Sequence, residues 1–352
     1  MPITLTINFL DIKWVYLYVF IIIALASGKG FSQEDPLITE SDNKFVKKLR
    51  RKVPRPKFFI LEYIFLKNVH VNATSPELGE SSSNIRINER YALKLRAPII
   101  LKPKYTFLGG FNLKKELFDF ENSQGVESAY YNVLDRRILS SVGVSLILKK
   151  DISEKKFMYA FWNGTLNSDN ISFSEIVNQL KTTIVFIFVK NVNPVTQIGY
   201  GGAFGYIFGG PSVFPVFIYN QTYSEMLNVE MMLPKSAKLR YTFSPEMYLM
   251  LIAEVNGASY FLKDATVEGI NRVTFQRSAF TVKTSFEREI YDWIWFGVTA
   301  GYNLPINLYV AEPRKRRKDA IITLDADPSF IFEFSIFAVV PKNIFYKKAK
   351  SR

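Results

Sequence analysis

The stretch from Phe280 to Tyr302, FTVKTSFEREIYDWIWFGVTAGY, alternates on a period of two on both sides of a charged, aromatic turn. Phe280, Val282, Thr284 and Phe286 share one face, and Thr281, Lys283, Ser285 and Glu287 the other. After the turn, Phe296, Val298, Ala300 and Tyr302 oppose Gly297, Thr299, Gly301 and Asn303. Successive strand side chains point to opposite faces, so this is a hairpin with one apolar face and one polar or small face. A soluble sandwich gives the same local pattern. Its repetition along the chain, behind an apolar leader, points instead to a membrane β-barrel.

The leader is Trp14 to Ala26, WVYLYVFIIIALA, preceded by Lys13 and followed by small residues. It is too short to span a bilayer as a helix, which takes about 20 apolar residues. It fits a signal peptide over residues 1–33, with cleavage expected between Gly28 and Glu34. Residues 34–57 then read as an exposed basic arm in the periplasm, 58–341 as the barrel, and 342–352 as a basic tail.

Fourteen segments alternate or run apolar at strand length. They begin at Phe58 to Val71 and Tyr91 to Leu101, and end at Ser329 to Val340. Connections alternate in length as well. Short ones, such as Lys102 to Lys104, Asp151 to Glu154 and Ser244 to Glu246, interleave with long ones. The long ones are Asn72 to Glu89, Glu121 to Asp135, Ser168 to Lys181, Ala258 to Ile270 and Leu304 to Asp327. Short periplasmic turns and long outer loops are the habit of outer-membrane barrels. Two outer connections, Gly209-Gly210-Pro211 and Pro234-Lys235-Ser236, are short; if one such hairpin lies outside the membrane, the count falls to 12. The fold expected is an all-β, antiparallel up-and-down transmembrane barrel of 14 strands, with 12 as the alternative.

Composition fits that reading. Aromatics make up 15% of the chain, with 31 Phe and 19 Tyr, which suits lipid-facing bands and interfacial girdles. Tyr91, Tyr105, Tyr159, Trp162, Tyr219, Tyr248, Tyr291, Trp293 and Trp295 are the girdle candidates. The formal charge of +13 is local. Lys44 to Lys57 holds eight basic residues and no acid, Lys342 to Arg352 holds five and none, and Glu312 to Asp319 holds five against two acids. These segments outweigh the whole excess, so the remainder is net acidic and a nucleic-acid surface is not expected.

From Tyr91 onward, YALKLRAPIILKPKYTFLGGF, FGGPSVFPVFIYNQTYS, LPKSAKLRYTFSPEMYL, EVNGASYFL and REIYDWIWFGVTAGYN resemble an uncharacterised family of outer-membrane β-barrel proteins of Bacteroidota-type bacteria, a domain of unknown function. The resemblance covers roughly Phe58 to Pro341. It implies export by a signal peptide and residence in the cell outer membrane. It implies no established activity, so no residue role carries over.

The inward charges expected from the alternation are Lys94, Arg96, Lys114, Lys149, Lys238, Arg240, Glu254, Lys283, Glu287 and Glu333. In an open lumen they would set field and selectivity, with a mild preference for anions; in a closed one they would pair and fill it. The strand from Gln197 to Phe208 sets Gly199, Gly201, Ala203, Gly205 and Gly209 on one face. Something must approach closely there, and curvature or internal packing is favoured over a ligand. The cluster Arg314, Lys315, Arg316, Arg317 and Lys318 falls in an outer loop, where lipopolysaccharide head groups are the natural partner by charge, an ordinary solvated loop being the equal alternative.

Without Cys and with a single His, His70, neither a Cys-based nor a multi-histidine metal site can form. An enzyme would need His70 as base, with Asp119 or Asp135 to orient it; a polar histidine at the rim is the favoured reading. The expectation is therefore a non-enzymatic, cofactor-free barrel, a passive channel or transporter for a small solute. The alternative is a structural or interaction barrel with a filled lumen. Lipid, lipopolysaccharide and the barrel-assembly machinery are its expected partners.

Overall fold

The computed structural model describes residues 54–77, 79–121, 129–267 and 269–343. The stretch expected to be a signal peptide, and most of both basic tails, lie outside the described residues.

The strands are β1 (Lys57–Ser75), β2 (Gly79–Leu101), β3 (Tyr105–Phe120), β4 (Leu139–Asp151), β5 (Lys156–Ser168), β6 (Leu180–Asn193), β7 (Thr196–Gly205), β8 (Ser212–Thr222), β9 (Leu227–Leu233), β10 (Ser236–Ser244), β11 (Met247–Val267), β12 (Ile270–Tyr291) and β13 (Ile294–Ala311). The last strand, β14, comes in two pieces, Ile322–Ala326 and Ser329–Val339. Both pieces pair antiparallel with β1 and with β13, and the register is the same on either side of the break: Val71 faces Ala326 and Leu66 faces Ile331, while Tyr309 faces Thr323 and Asn303 faces Ser329. Pro328 has no N–H to give the ladder, so the strand is interrupted there without changing partners. Each strand pairs with the next and β14 returns to β1. Among the described residues this is a closed antiparallel barrel of fourteen strands. Both short outer hairpins belong to its wall.

Three expected loops are strands. Asn72 to Glu89 continues the β1–β2 ladder up to Ser75 opposite Gly79, Ala258 to Ile270 continues β11–β12 up to Val267 opposite Ile270, and β13 runs on to Ala311. The run Ser81-Ser82-Ser83 reads as loop because it is polar. Beyond the bilayer, however, only one face of a strand is buried, and serines suit the solvated one. The wall is therefore uneven. β1, β2, β11 and β12 stand tall, while β9 and β10 have only seven and nine residues.

The tall hairpins pack their inner faces together. Val71, Ala73, Ile85, Phe118, Val273, Phe275, Val310, Ile322 and Leu324 form one buried apolar core at the outer end. A short helix, Ala129–Asn132, adds Tyr131 to this core, and Leu134 follows it. Below the core the outer surface is apolar all round, with Leu61, Val144, Phe186, Tyr200, Phe217, Leu251, Val298 and Phe334 among its exposed side chains. An apolar belt on a closed barrel is the solution a bilayer demands, because every backbone polar group is paired and no edge meets lipid. Among the described residues no helix is long and apolar enough to cross a membrane.

The glycine row of β7 has a local cause. A Cβ on Gly201 would lie 1.9 Å from the Phe186 carbonyl oxygen, and one on Gly199 2.9 Å from that of Phe188. The neighbouring strand β6 itself approaches, and its Val185, Ile187 and Val189 lean over the gap. Coiling of the wall accounts for the row.

Candidate functional site: a polarity-divided luminal cavity

Beneath the outer core lies a cavity of about 860 Å³. The strand alternation builds it. Lys94 and Arg96 on β2, Lys114 on β3, Lys238 on β10, Glu254 on β11, Lys283 and Glu287 on β12, and Glu333 on β14 line it, so eight of the ten charges named from the sequence share this space. Lys149 and Arg240 lie elsewhere. Lys149 pairs with Asp151 at 3.0 Å and Arg240 with Glu230 at 2.8 Å, both toward the periplasmic end.

Seven lining charges escaped the sequence reading: Glu62, Arg90, Lys115, Glu116, Lys181, Lys235 and Arg277. Arg90 keeps the parity of Lys94, Glu116 that of Lys114, and Arg277 that of Lys283. For these three the signal was present: Arg90 lay just before the assumed strand start at Tyr91, and Glu116 and Arg277 lay outside the stretches whose alternation was read. Glu62 sat inside an apolar run. Glu116 is 2% exposed and joins opposite parts of the wall. Its Oε1 accepts from Arg90 Nε at 2.9 Å, and its Oε2 from Arg277 Nε at 2.9 Å and Tyr260 Oη at 3.3 Å. This group forms the boundary between apolar core and cavity. A buried carboxylate is tolerated there because two guanidiniums compensate it.

The opposite arc of the cavity is mostly apolar, with Phe161, Val185, Ile187, Ala203, Phe214, Val216 and Ile218 contributed by β5 to β8, and Lys181, Thr183, Asn163 and Thr165 its polar members. At its edge the wall is notched. The ladder between β8 and β9 begins only at Phe217 opposite Leu233, and that between β10 and β11 only at Ser236 opposite Glu254. Above the short β9–β10 hairpin, the β7–β8 connection leans across to β11. A Cβ on Gly257 would lie 2.1 Å from the Gly209 nitrogen, so only glycine on glycine allows this closure.

The periplasmic mouth carries an aromatic stack. Tyr248 and Trp295 lie 5.4 Å apart at 8°, and Trp295 and Phe337 6.0 Å apart. Tyr248 and Trp295 were expected in the lipid girdle; they are 4% and 2% exposed and belong to the lumen, because Trp295 shares the parity of Gly297 and Thr299. Tyr159, another girdle candidate, lines the cavity. Tyr91, Tyr105, Tyr291 and Trp293 are exposed.

The basic arm also ends differently from expectation. Lys57 is the first residue of β1, and Arg55 is buried. Arg55 binds Glu289 at 2.8 Å and Asp292 at 3.0 Å, with its guanidinium 5.8 Å from the Trp295 ring. Lys342 reaches Glu289 at 2.8 Å and Glu246 at 3.2 Å, and its ammonium is held above the ordinary lysine value by the hydrogen bond to Glu289.

His70 sits on the exposed extension of β1 with Nδ1 3.0 Å from Asn84 Oδ1. Asp119 pairs with Arg86 and Arg136, and Asp135 accepts from the Phe120 N–H. The histidine and the two aspartates are not brought together. Arg314 to Lys318 are all exposed in the β13–β14 connection, where Arg317 pairs with Asp325 at 3.2 Å. Among the described residues no cluster of metal-binding side chains occurs.

A closed barrel with an apolar belt defines a membrane β-barrel, here one with a luminal cavity. Residues 72–318 match a family described as a domain of unknown function, DUF6268, and the chain belongs to that family. No curated protein matches it. Among solved structures it is similar to the COG4313 outer membrane channel from Pseudomonas putida F1, with 13% identity, TM-score 0.40, and 80% of this chain and 96% of that one covered. It is also similar to the P. putida toluene transporter TodX (8%, TM-score 0.32, 81% and 91% covered). A third is the translocator domain of the autotransporter NalP from Neisseria meningitidis (8%, TM-score 0.32, 85% and 95% covered).

Proposed function

We propose that this protein is a passive channel of the outer membrane that admits a small solute through its luminal cavity. The observation that carries the reading is the cavity itself. A purely structural barrel would pack its interior with side chains, whereas here about 860 Å³ remains, lined by charges on one arc and mostly apolar residues on the other. The outer end is closed by the apolar core, and the wall lacks strand pairing at the notch, where backbone contact between Gly209 and Gly257 closes it. Passage between the membrane and the cavity would go through that notch, and passage to the periplasm past the aromatic stack.

In the same reading, the leader exports the chain, the assembly machinery inserts it, and the exposed Arg314 to Lys318 loop meets anionic lipopolysaccharide. His70, bonded to an amide and remote from the cavity, takes no part, and the protein is not an enzyme.

Vesicles loaded with the folded barrel test this by solute uptake. Swelling in small organic solutes, absent from protein-free vesicles, is the expected result. A correctly folded barrel that leaves vesicles impermeable to every solute tried would favour the structural alternative.

A further inference from the structure

The cavity contains more positive charge than its own acids engage. Each lining acid already has a partner. Glu62 binds Lys94 at 2.6 Å, Glu116 binds Arg90 and Arg277, Glu254 and Glu333 hold Lys283 at 2.9 and 3.1 Å, and Glu287 binds Lys57 at 2.7 Å. Among the described residues, no ion pair joins an acid to Lys114 or Lys235, nor to the other lining cations Arg96, Lys115, Lys181 and Lys238. Glu254 is within electrostatic reach of Lys235, but its Oε1 also accepts from Asn256 at 2.8 Å.

These two lysines come from opposite sides of the barrel. Lys114 projects from β3, while Lys235 sits at the β9–β10 turn, half a circuit away in strand order. Both nevertheless line the same cavity, as does Lys94. Like charges facing one enclosed space repel, and an anion placed between them is attracted by each. Beside them lies the apolar arc, with Phe214, Val216 and Ile218 next to the notch. A head-group position and a tail position thus adjoin within one cavity.

We infer that Lys114 and Lys235 form an anion site that takes the head group of a small amphiphilic monoanion, whose apolar tail lies against the β5–β8 arc. The inference rests on reading the cavity as solute space, and it names the substrate class of the proposed channel. Neutral solutes would use the apolar arc alone and forgo the lysines. Free inorganic anions would use the lysines alone.

Calorimetric titration of the folded full-length barrel in amphipol tests it, with hexanoate, hexan-1-ol, acetate and hexyl phosphate as probes. Folding is verified first by heat-dependent gel mobility. Hexanoate is expected to bind at least tenfold more tightly than either hexan-1-ol or acetate. Lys114→Gln and Lys235→Gln are each expected to weaken hexanoate by fivefold or more, and Lys104→Gln, at the β2–β3 turn, to leave it unchanged. Hexyl phosphate exceeding hexanoate would support the site and assign a phosphate-type head. A smaller advantage of hexanoate over hexan-1-ol or acetate, or full affinity in both lysine variants, would overturn it. Solute uptake by vesicles separates the two claims: uptake without hexanoate binding sinks the site alone, and binding without uptake sinks the channel alone.

Discussion

Arg277 Nη2 lies 2.8 Å from Glu116 Oε2, an ion pair that joins β12 to β3 across the lumen. The same carboxylate binds Arg90 on β2. Removing one member of such a buried group leaves charge uncompensated, at a cost of about 3–5 kcal/mol. Glu116→Ala should therefore lower the urea midpoint of the folded barrel in vesicles, and Glu116→Gln should lose less, because its amide oxygen still accepts hydrogen bonds. Equal midpoints for wild type and Glu116→Ala would show that the brace contributes nothing.

The glycine contact at the notch gives a second expectation. A side chain at Gly257 meets the Gly209 backbone, so Gly257→Val must displace the β7–β8 connection. Limited proteolysis between Tyr206 and Pro211 should become faster, and solute uptake should rise, while strand content is kept. Unchanged cleavage would mean that this connection does not close the wall.

At the periplasmic mouth, Lys342 is held above its ordinary value of 10.5, first by the hydrogen bond to Glu289 and further by the one to Glu246. A folded value above the unfolded one means that the contribution is complete below about pH 10.5 and fades as pH rises through the elevated folded value. The ¹³Cε shift of Lys342 in the folded barrel should titrate later than that of a free lysine. Glu289→Gln should move it back, and a midpoint unaffected by that change would contradict the pairing. The site is well exposed, so little global stability is at stake.

His70→Ala should leave stability within about 0.5 kcal/mol and solute uptake unchanged, as for an exposed residue with one amide partner. Loss of uptake in this variant would reopen a functional role for the histidine.

Parity made much of this legible. Lys94, Lys114 and Lys283 face the cavity for the same reason that Leu95, Leu113 and Val282 do not, and that reason is visible in the period of two. Closure of β14 on β1 also followed from an even strand number. What alternation cannot carry is pairing between distant strands. Glu116 and Arg277 are far apart in sequence and meet only because the barrel closes. The core itself was hidden, because Asn72 to Glu89 is polar enough to read as loop while one face of it packs. Trp295 was misplaced for a related reason: aromatic content near a strand end suggests a girdle, but its parity with Gly297 puts it inside.

The central claim is that the cavity belongs to a path for a solute, and uptake of small organic solutes by vesicles carrying the refolded barrel tests it most directly. The account predicts uptake faster than in protein-free vesicles, and faster still in Gly257→Val, where the notch is forced open. A barrel that shows the heat-dependent mobility of the folded state and yet leaves uptake at the protein-free rate would contradict it.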